Sequence, residues 1–168
     1  MKPVAFIQAI GPGAQASMKL TGIPASVMIA EAALESAWGE SNLSQTGKNL
    51  FGVKADASWT GPTISLPTRE FIRGEWVEEN AIWRAYSSWA DCITDHARFF
   101  FDNPRYKPAL AQRENAYEFA WQLQDCGYAT DPKYAVKLNS IRSEWKLASW
   151  DVPPSQLALA DWAKGDDA

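Results

Sequence analysis

The sequence is poor in the residues that most often build metal sites and covalent catalytic sites. Its 168 residues include one histidine and two cysteines. A zinc site needs several such ligands at short spacings, and Cys92, His96 and Cys126 form no Cys-x-x-Cys pattern. A Ser-His-Asp triad would depend on His96, which lies in a helical pattern with no Gly-x-Ser-x-Gly turn nearby. We therefore expect no metal and no cofactor, and we interpret His96 as a packing or helix-surface residue.

The chain also lacks an excess of positive charge and a long apolar run. Sixteen Lys and Arg against 20 Asp and Glu give a net charge of −4, which disfavours a nonspecific nucleic-acid binder. No stretch approaches the ~18 apolar residues of a transmembrane helix, so we expect no membrane insertion. The apolar stretch 4–10 is short and runs into Gly11-Pro12-Gly13, which argues against a cleaved signal peptide.

Tryptophan, by contrast, is abundant, with nine residues in a chain that is 46% hydrophobic. Indole rings pack cores and also offer flat faces on which sugars stack. The length and composition predict one globular domain, which we expect to be a monomer.

Apolar periodicity predicts a mainly helical α+β domain over residues 1–150 and a C-terminal tail over 151–168. Residues 63–86 are rich in β-prone side chains around Arg73-Gly74 and predict a β-hairpin lobe. The helical predictions are two short pieces within 4–20 broken at Gly11-Pro12-Gly13, a helix from Pro24 that ends at Gly39, and helices at 88–101, 114–125 and 132–148.

The helix that starts at Pro24 carries two glutamates, Glu31 and Glu35, which share a face because they are four residues apart. Glu35 falls in the last turn, where the helix dipole and the like charge both favour a protonated carboxyl group. Its neighbours are mostly alanine, leucine and tryptophan, which is unlike a solvated face. Glu35 is therefore a candidate general acid.

Four separated segments of the sequence stand out together. They are Ile23-Pro24-Ala25-Ser26 with Ala32-Ala33-Leu34-Glu35-Ser36-Ala37-Trp38-Gly39, then Asn49-Leu50-Phe51-Gly52-Val53-Lys54-Ala55, Thr68-Arg69-Glu70-Phe71, and Gly127-Tyr128-Ala129-Thr130-Asp131-Pro132-Lys133-Tyr134. In this order they resemble the motifs of glycoside hydrolase family 73, which includes glucosaminidase domains of bacterial autolysins and phage endolysins. The resemblance covers about residues 3–148 and departs from the family pattern at Ala37, where the family commonly has glycine.

The resemblance implies a lysozyme-like helical domain with a small β-hairpin lobe flanking a substrate groove, and cleavage of the GlcNAc-β-1,4-MurNAc bond of peptidoglycan. It makes Glu35 the general acid, Glu70 the second carboxylate and Tyr128 a residue of the cleft. The same comparison suggests that Asn49 hydrogen-bonds an N-acetyl group and that Phe51 forms the wall of the cleft. We add Trp59 as a candidate stacking platform and Tyr134 as a residue of the cleft or the core.

The step that follows protonation stays open among three routes. Two carboxyl groups about 6.5–9.5 Å apart would leave room for an attacking water and inversion, whereas ~5–5.5 Å would indicate a covalent retaining route. In the third route the 2-acetamido group of GlcNAc attacks the anomeric carbon, and Tyr128 would orient it. We favour this substrate-assisted route because Glu70 lies on a hairpin near a turn.

Three further expectations concern Cys92 and Cys126, the rival functions and the place of action. The cysteine pair can either close a disulfide or remain two free thiols.

The rival functions are a muramidase or lytic transglycosylase of the same fold and a wall-binding module without catalysis. We expect the chain to act on the bacterial cell wall, as a phage endolysin or as a prophage-derived or excised bacterial domain. It would reach its substrate through a holin or by another export route.

Overall fold

A helical body and one β-hairpin make up the fold, in a computed structural model that describes residues 1–72 and 74–164. The hairpin pairs β1 (Thr63–Ile72) with β2 (Glu75–Arg84) in antiparallel register. The α-helices are α1 (Pro3–Thr21), α2 (Ala25–Glu35), α3 (Asn42–Thr46), α4 (Trp89–Asp102), α5 (Lys107–Ala111), α6 (Ala116–Asp125) and α7 (Tyr134–Glu144). Short 3₁₀ helices occur at Pro104–Tyr106, Leu147–Trp150, Pro154–Gln156 and Asp161–Ala163.

Helix α2 lies at the centre of the helical body, in contact with α1, α6, α7 and the 3₁₀ helix Leu147–Trp150. Every residue from Ala25 to Ala33 is buried. The alanines at 25, 30, 32 and 33 let neighbouring helices approach closely, and Val27, Met28 and Ile29 fill the spaces between them. A helix enclosed in this way holds its last residue in a fixed position.

The predicted end of α2 at Gly39 is wrong, because the helix ends at Glu35. The next turn is left-handed: φ is 51° at Ala37, 59° at Trp38 and 75° at Gly39. The Ser36 hydroxyl stabilises this turn by donating to the Ala32 carbonyl and accepting from the Gly39 amide. Glu35 is consequently the terminal residue of the helix and still lies in its last turn.

The predicted break in α1 is also wrong, since one helix runs through Gly11-Pro12-Gly13. Pro12 is exposed, so the missing hydrogen bond lies on the solvent side of the helix. The two glycines permit close packing instead of ending the helix. A Cβ at Gly11 would lie 2.4 Å from the Trp150 ring, and one at Gly13 would lie 3.1 Å from Ala90 Cβ.

We expect Gly11→Ala to destabilise the protein by about 1–3 kcal/mol, because the added methyl group overlaps the Trp150 ring. At an unobstructed helical site the same substitution would stabilise the helix by roughly 0.5–1 kcal/mol. Thermal unfolding measures the change in the free energy of unfolding. A Gly11→Ala, Trp150→Leu double variant should lose less stability than the two single changes summed. Additive losses would show that the close approach to Trp150 is not the cause.

The other predicted elements are placed largely as the sequence indicates. The hairpin occupies 63–84, and the helices predicted at 88–101 and 114–125 correspond to α4 and α6. The pattern at 132–148 divides into α7 and the 3₁₀ helix Leu147–Trp150. Among the described residues, none of the helices combines the length and the apolar character that crossing a membrane requires.

The segment after Trp150, predicted as a tail, packs against the helical body as far as Lys164. Its backbone amides at Ala158 and Ala160 donate to the carbonyls of Lys19 and Leu20. The Asp151 carboxylate accepts from the Ser26 amide and hydroxyl, both at 2.7 Å. These contacts join the segment to α1 and to the first turn of α2. The sequence also predicts that residues 164–168 fray, and residues 165–168 lie outside the part of the chain that the structure describes.

Candidate active site

Glu35 ends α2 with part of its side chain open to solvent, whereas Glu31, one turn earlier, is completely buried. Partial burial of its carboxyl group raises the pKa of Glu35 above its ordinary value. The negative charge of Glu31 raises this pKa further, and the charge of His96 lowers it. A raised pKa favours the protonated form of Glu35, and an accessible protonated carboxyl group can donate its proton to a bound substrate.

Glu31 belongs to a buried polar network that the sequence did not predict. Its Oε1 lies 2.9 Å from His96 Nε2, and the two side chains are 0% and 2% exposed. The Tyr128 hydroxyl lies 3.3 Å from the same His96 nitrogen. Glu31 Oε2 and His96 Nδ1 have no hydrogen-bond partner within the described structure. The network connects α2, α4 and the loop that follows α6.

His96 is held between aromatic rings, which fixes the plane of its imidazole. The Phe51 ring stacks on it with centroids 3.9 Å apart and an angle of 12°. The Phe99 ring is also nearly parallel to it, at 6.0 Å, and Phe100 contacts it edge-on at 4.9 Å. The expectation that His96 is a packing residue describes these ring contacts but omits its polar bond to Glu31.

The two tyrosines singled out from the sequence lie side by side near the glutamates. The rings of Tyr128 and Tyr134 are 5.4 Å apart. Tyr134 is a core residue, 2% exposed, and burial together with the charges of Glu31 and Glu35 raises the pKa of its phenol. Tyr128 is half-buried. Burial raises the pKa of its phenol most, and the charge of Glu31 raises this pKa further. Both phenols therefore remain protonated donors at neutral pH.

The suggested role of Asn49 as a ligand for an N-acetyl group is wrong for this structure. Asn49 is 1% exposed. Its side-chain amide donates to the carbonyls of Val53 and Arg84, and its side-chain oxygen accepts from the Val53 amide. These bonds occupy both ends of the side chain, so Asn49 shapes the loop that carries Phe51 and fastens it to β2.

Trp59 and Phe51 have different surroundings, although both were expected to contact sugar. Phe51 is 6% exposed and lines a cavity beside Tyr128. Trp59 is half-buried, donates from its indole nitrogen to the Pro62 carbonyl and has the Arg84 guanidinium 4.7 Å from its ring centroid. One face of Trp59 is thus covered by an arginine, so only the opposite face could stack on a sugar.

The second carboxylate of the sequence analysis, Glu70, has its backbone in β1, where it pairs with Val77. Its side chain lies outside the described part of the structure, so its distance from Glu35 stays open. Within the described residues, no group of three His, Cys, Asp or Glu side chains could hold a metal ion.

The disulfide alternative for Cys92 and Cys126 is wrong for this structure, because both thiols are free. The Cys92 sulfur is fully buried in α4 and accepts from the Leu50 amide. Burial raises the pKa of the Cys92 thiol to about 12. Such a thiol stays protonated and is a poor nucleophile for forming a disulfide.

Comparison with known families gives a match over residues 11–147 to the glucosaminidase model, described as mannosyl-glycoprotein endo-β-N-acetylglucosaminidase. The chain belongs to this glucosaminidase family. The resemblance to glycoside hydrolase family 73 inferred from the four sequence segments is thereby confirmed.

Three curated relatives of this glucosaminidase domain have related names. The peptidoglycan hydrolase FlgJ of Vibrio parahaemolyticus is 39% identical over 84% of this chain and 47% of its own length. The exo-glucosaminidase LytG of Bacillus subtilis is 36% identical over 93% of this chain and 56% of its own length. A probable N-acetylmuramidase of Lactococcus lactis is 35% identical over 88% of this chain and 34% of its own length. The chain spans about half the length of the first two relatives.

A solved structure supports the fold of this glucosaminidase domain directly. The catalytic domain of the autolysin Auto from Listeria monocytogenes superposes with a TM-score of 0.80 at 32% identity, over 89% of this chain and 87% of that one. The predicted fold class, mainly helical α+β with a small hairpin, is therefore confirmed.

The charges around Glu35 predict how activity in this glucosaminidase domain depends on pH. A general acid works only while protonated, so activity falls as pH rises through its pKa. Because the charge of Glu31 raises the pKa of Glu35, Glu31→Gln should move the falling limb of the profile to lower pH. His96→Gln removes a charge that lowers this pKa and should move the limb to higher pH. Profiles of kcat/KM against pH measure the shift of the falling limb in each variant. Shifts of the two variants in the same direction would contradict Glu35 as the general acid.

Proposed function

We propose that this chain is a peptidoglycan hydrolase that cleaves the GlcNAc-β-1,4-MurNAc bond within glycan strands, with Glu35 as its general acid. The observation that carries the proposal is the state of Glu35 at the end of α2, where it is accessible to solvent and its pKa is raised by partial burial and by Glu31. The names of the relatives support the substrate, since they include a peptidoglycan hydrolase and an exo-glucosaminidase.

In the proposed reaction, Glu35 donates its proton to the glycosidic oxygen as the bond between that oxygen and C1 of GlcNAc breaks. The MurNAc hydroxyl leaves as the neutral alcohol. In the substrate-assisted route, the acetamido carbonyl oxygen of the same GlcNAc bonds to C1 and forms a cyclic oxazolinium ion. Water then attacks C1, reopens the ring and returns a proton to Glu35. The sum is one water added across one glycosidic bond.

Tyr128 is proposed to orient the acetamido group in this sequence of steps. Its hydroxyl is fixed by the neighbouring His96 nitrogen at 3.3 Å, and its raised pKa keeps it a hydrogen-bond donor. A donor held in this way can fix the rotation of an amide and so aim its carbonyl oxygen at C1.

The identity of the new reducing end tests the bond specificity. Purified peptidoglycan is digested, the products are reduced with borohydride, and the terminal sugar alcohol is identified by mass spectrometry. We expect reduced GlcNAc at the ends of oligosaccharides. Reduced MurNAc, or a 1,6-anhydro end that resists reduction, would instead support a muramidase or a lytic transglycosylase, a reading favoured by the name of the Lactococcus lactis relative. The absence of any new reducing end would support a wall-binding module.

We also propose that the enzyme works as a phage endolysin that reaches the wall through a holin. This proposal comes from the sequence resemblance alone. Cells that express the chain in the cytoplasm should remain intact until a holin is produced and should then lyse. Lysis without a holin, with the enzyme recovered outside the cytoplasm, would indicate a different export route.

A further inference from the structure

A cavity of about 310 Å³ has Tyr128 in its lining, and the proposed cleavage step uses none of its cationic residues. The loop 51–56, the end of β2, helix α4 and the 3₁₀ helix Pro104–Tyr106 form its walls. Its lining combines aromatic rings with positive charge. The rings are those of Phe51, Phe99, Tyr106 and Tyr128, and the cations are Lys54, Arg84 and Arg105.

The cavity is positively charged although the chain as a whole has a net charge of −4. Among the residues that the structure describes, three cationic side chains line it, and Asp56 is the one carboxylate. Arg84 is already bound by two acids, Asp95 at 3.0 Å and Asp56 at 3.3 Å. Arg84 is therefore held by carboxylates of the protein itself and is not the residue that would receive an anion.

Arg105 is the cation that is best placed to receive a ligand. It is exposed, its guanidinium lies 4.7 Å from the centroid of the Tyr106 ring, and it donates to the Tyr106 hydroxyl. Within the described residues no carboxylate lies in ion-pair distance of it. Stacking on the buried Tyr106 ring orients the guanidinium plane in advance, which lowers the entropy cost of binding a planar carboxylate through two hydrogen bonds.

The cavity shares two residues with the network beside the general acid. Tyr128 and His96 line the cavity and also belong to the polar network beside Glu35. A glycan bound at Glu35 would therefore carry its substituents past the mouth of the cavity. The sugar rings of peptidoglycan are uncharged N-acetyl sugars, so a positively charged cavity is not needed for them. The carboxylates of this polymer belong to the stem peptides attached to the lactyl group of MurNAc.

We propose that this cavity binds a carboxylate of the peptidoglycan stem peptide, with Arg105 as the anion-binding residue and the half-buried rings of Phe99 and Tyr128 as the surface for its apolar atoms. The proposal rests on peptidoglycan as the substrate. Removal of the stem peptide frees the lactyl carboxylate of MurNAc, which is a second source of the same chemistry. The test therefore compares glycan that carries stem peptides with glycan from which an amidase has removed them.

Binding is measured by calorimetry in a Glu35→Gln background, where the ligand is not consumed. The ligands are the tetrasaccharide GlcNAc-MurNAc-GlcNAc-MurNAc with its stem peptides and the same tetrasaccharide stripped by an amidase. We expect Arg105→Gln to raise the ratio of the two Kd values, peptide-bearing over stripped, about tenfold, the size of one lost charge-assisted contact. Arg105→Lys keeps the positive charge, so its ratio of Kd values should lie between those of the unmutated residue and Arg105→Gln.

Arg98→Gln is the matched control, because Arg98 is also exposed and stacked, with its guanidinium 5.2 Å from the Trp162 ring, but does not line the cavity. It should leave the ratio unchanged. An unchanged ratio in Arg105→Gln overturns the proposal, whether both ligands weaken equally, as a sugar contact would predict, or neither weakens. A lower ratio overturns it as well, because it shows that Arg105 binds the lactyl carboxylate that only the stripped ligand carries. Failure of the proposed function would show separately, as peptidoglycan left intact by the unmutated enzyme.

Discussion

Glu35→Gln should lower the hydrolysis of peptidoglycan roughly 10²–10⁴-fold, which is the usual contribution of a general acid. The amide has nearly the size and hydrogen-bonding capacity of the acid but cannot donate a proton. Because Glu35 is the last residue of α2 and is open to solvent, the fold should not change. Loss of turbidity of a peptidoglycan suspension measures activity, and circular dichroism measures the fold.

The control for this variant is Glu144→Gln, which changes a glutamate at the equivalent point of another helix. Glu144 is the exposed last residue of α7, so the same loss of charge at a helix end is made away from Glu35. Its activity should equal that of the unmutated enzyme. If Glu35→Gln retained more than ~10% of the activity, its role as the acid would be wrong, because so small a loss lies below the range for general acids.

Tyr128→Phe should have the second largest effect and should identify the route taken after protonation. In the substrate-assisted route the acetamido group replaces a protein base, so Tyr128→Phe should reduce activity nearly as far as Glu35→Gln, whereas Glu70→Gln should leave measurable activity. In an inverting route, Glu70 activates the water, so the order of the two effects should reverse. Rates on peptidoglycan, normalised to folded protein, give the comparison.

Two measurements on the unmutated enzyme test the substrate-assisted route without altering the protein. Proton NMR of the first product formed should show retention of the anomeric configuration, since two displacements at C1 restore it, and inversion would exclude the substrate-assisted route. N-deacetylated glycan should resist cleavage because it lacks the carbonyl oxygen that attacks C1. Full activity on that glycan would contradict the role given to the acetamido group.

The elements that sequence reasoning placed correctly are those with strong local signals. The hairpin over 63–84 follows from β-prone residues around a turn, and the start of α2 follows from Pro24. The errors came from contacts between residues distant in sequence. Gly11 interrupts no helix because its missing side chain makes room for Trp150, 139 positions later, and no local pattern carries that information.

In the candidate site as well, some features follow from neighbouring residues and others from contacts between residues distant in sequence. Glu35 could be found because an apolar helix end surrounds it. The bond between Glu31 and His96 joins residues 65 positions apart, and neither residue alone indicates a buried pair. A signal was nevertheless present, since Glu31 stands between alanines in an apolar helix and His96 stands near Ile93, Ala97 and Phe100 on one face of α4. Asn49 was misassigned because its bonds to the backbone depend on the fold of its loop.

The bond between Asp151 and Ser26 makes the stability of the helix that carries Glu35 depend on the C-terminal segment. Asp151 satisfies an amide in the first turn of α2, which otherwise has no partner within the helix, and Arg142 also bonds the Ser26 hydroxyl. A protease that cut between Trp150 and Asp151 would release this carboxylate and leave the start of α2 open to fraying. Glu35 stands at the other end of that helix, so a single cut in the backbone should lower the stability of the helix that carries the acid without touching the cleft.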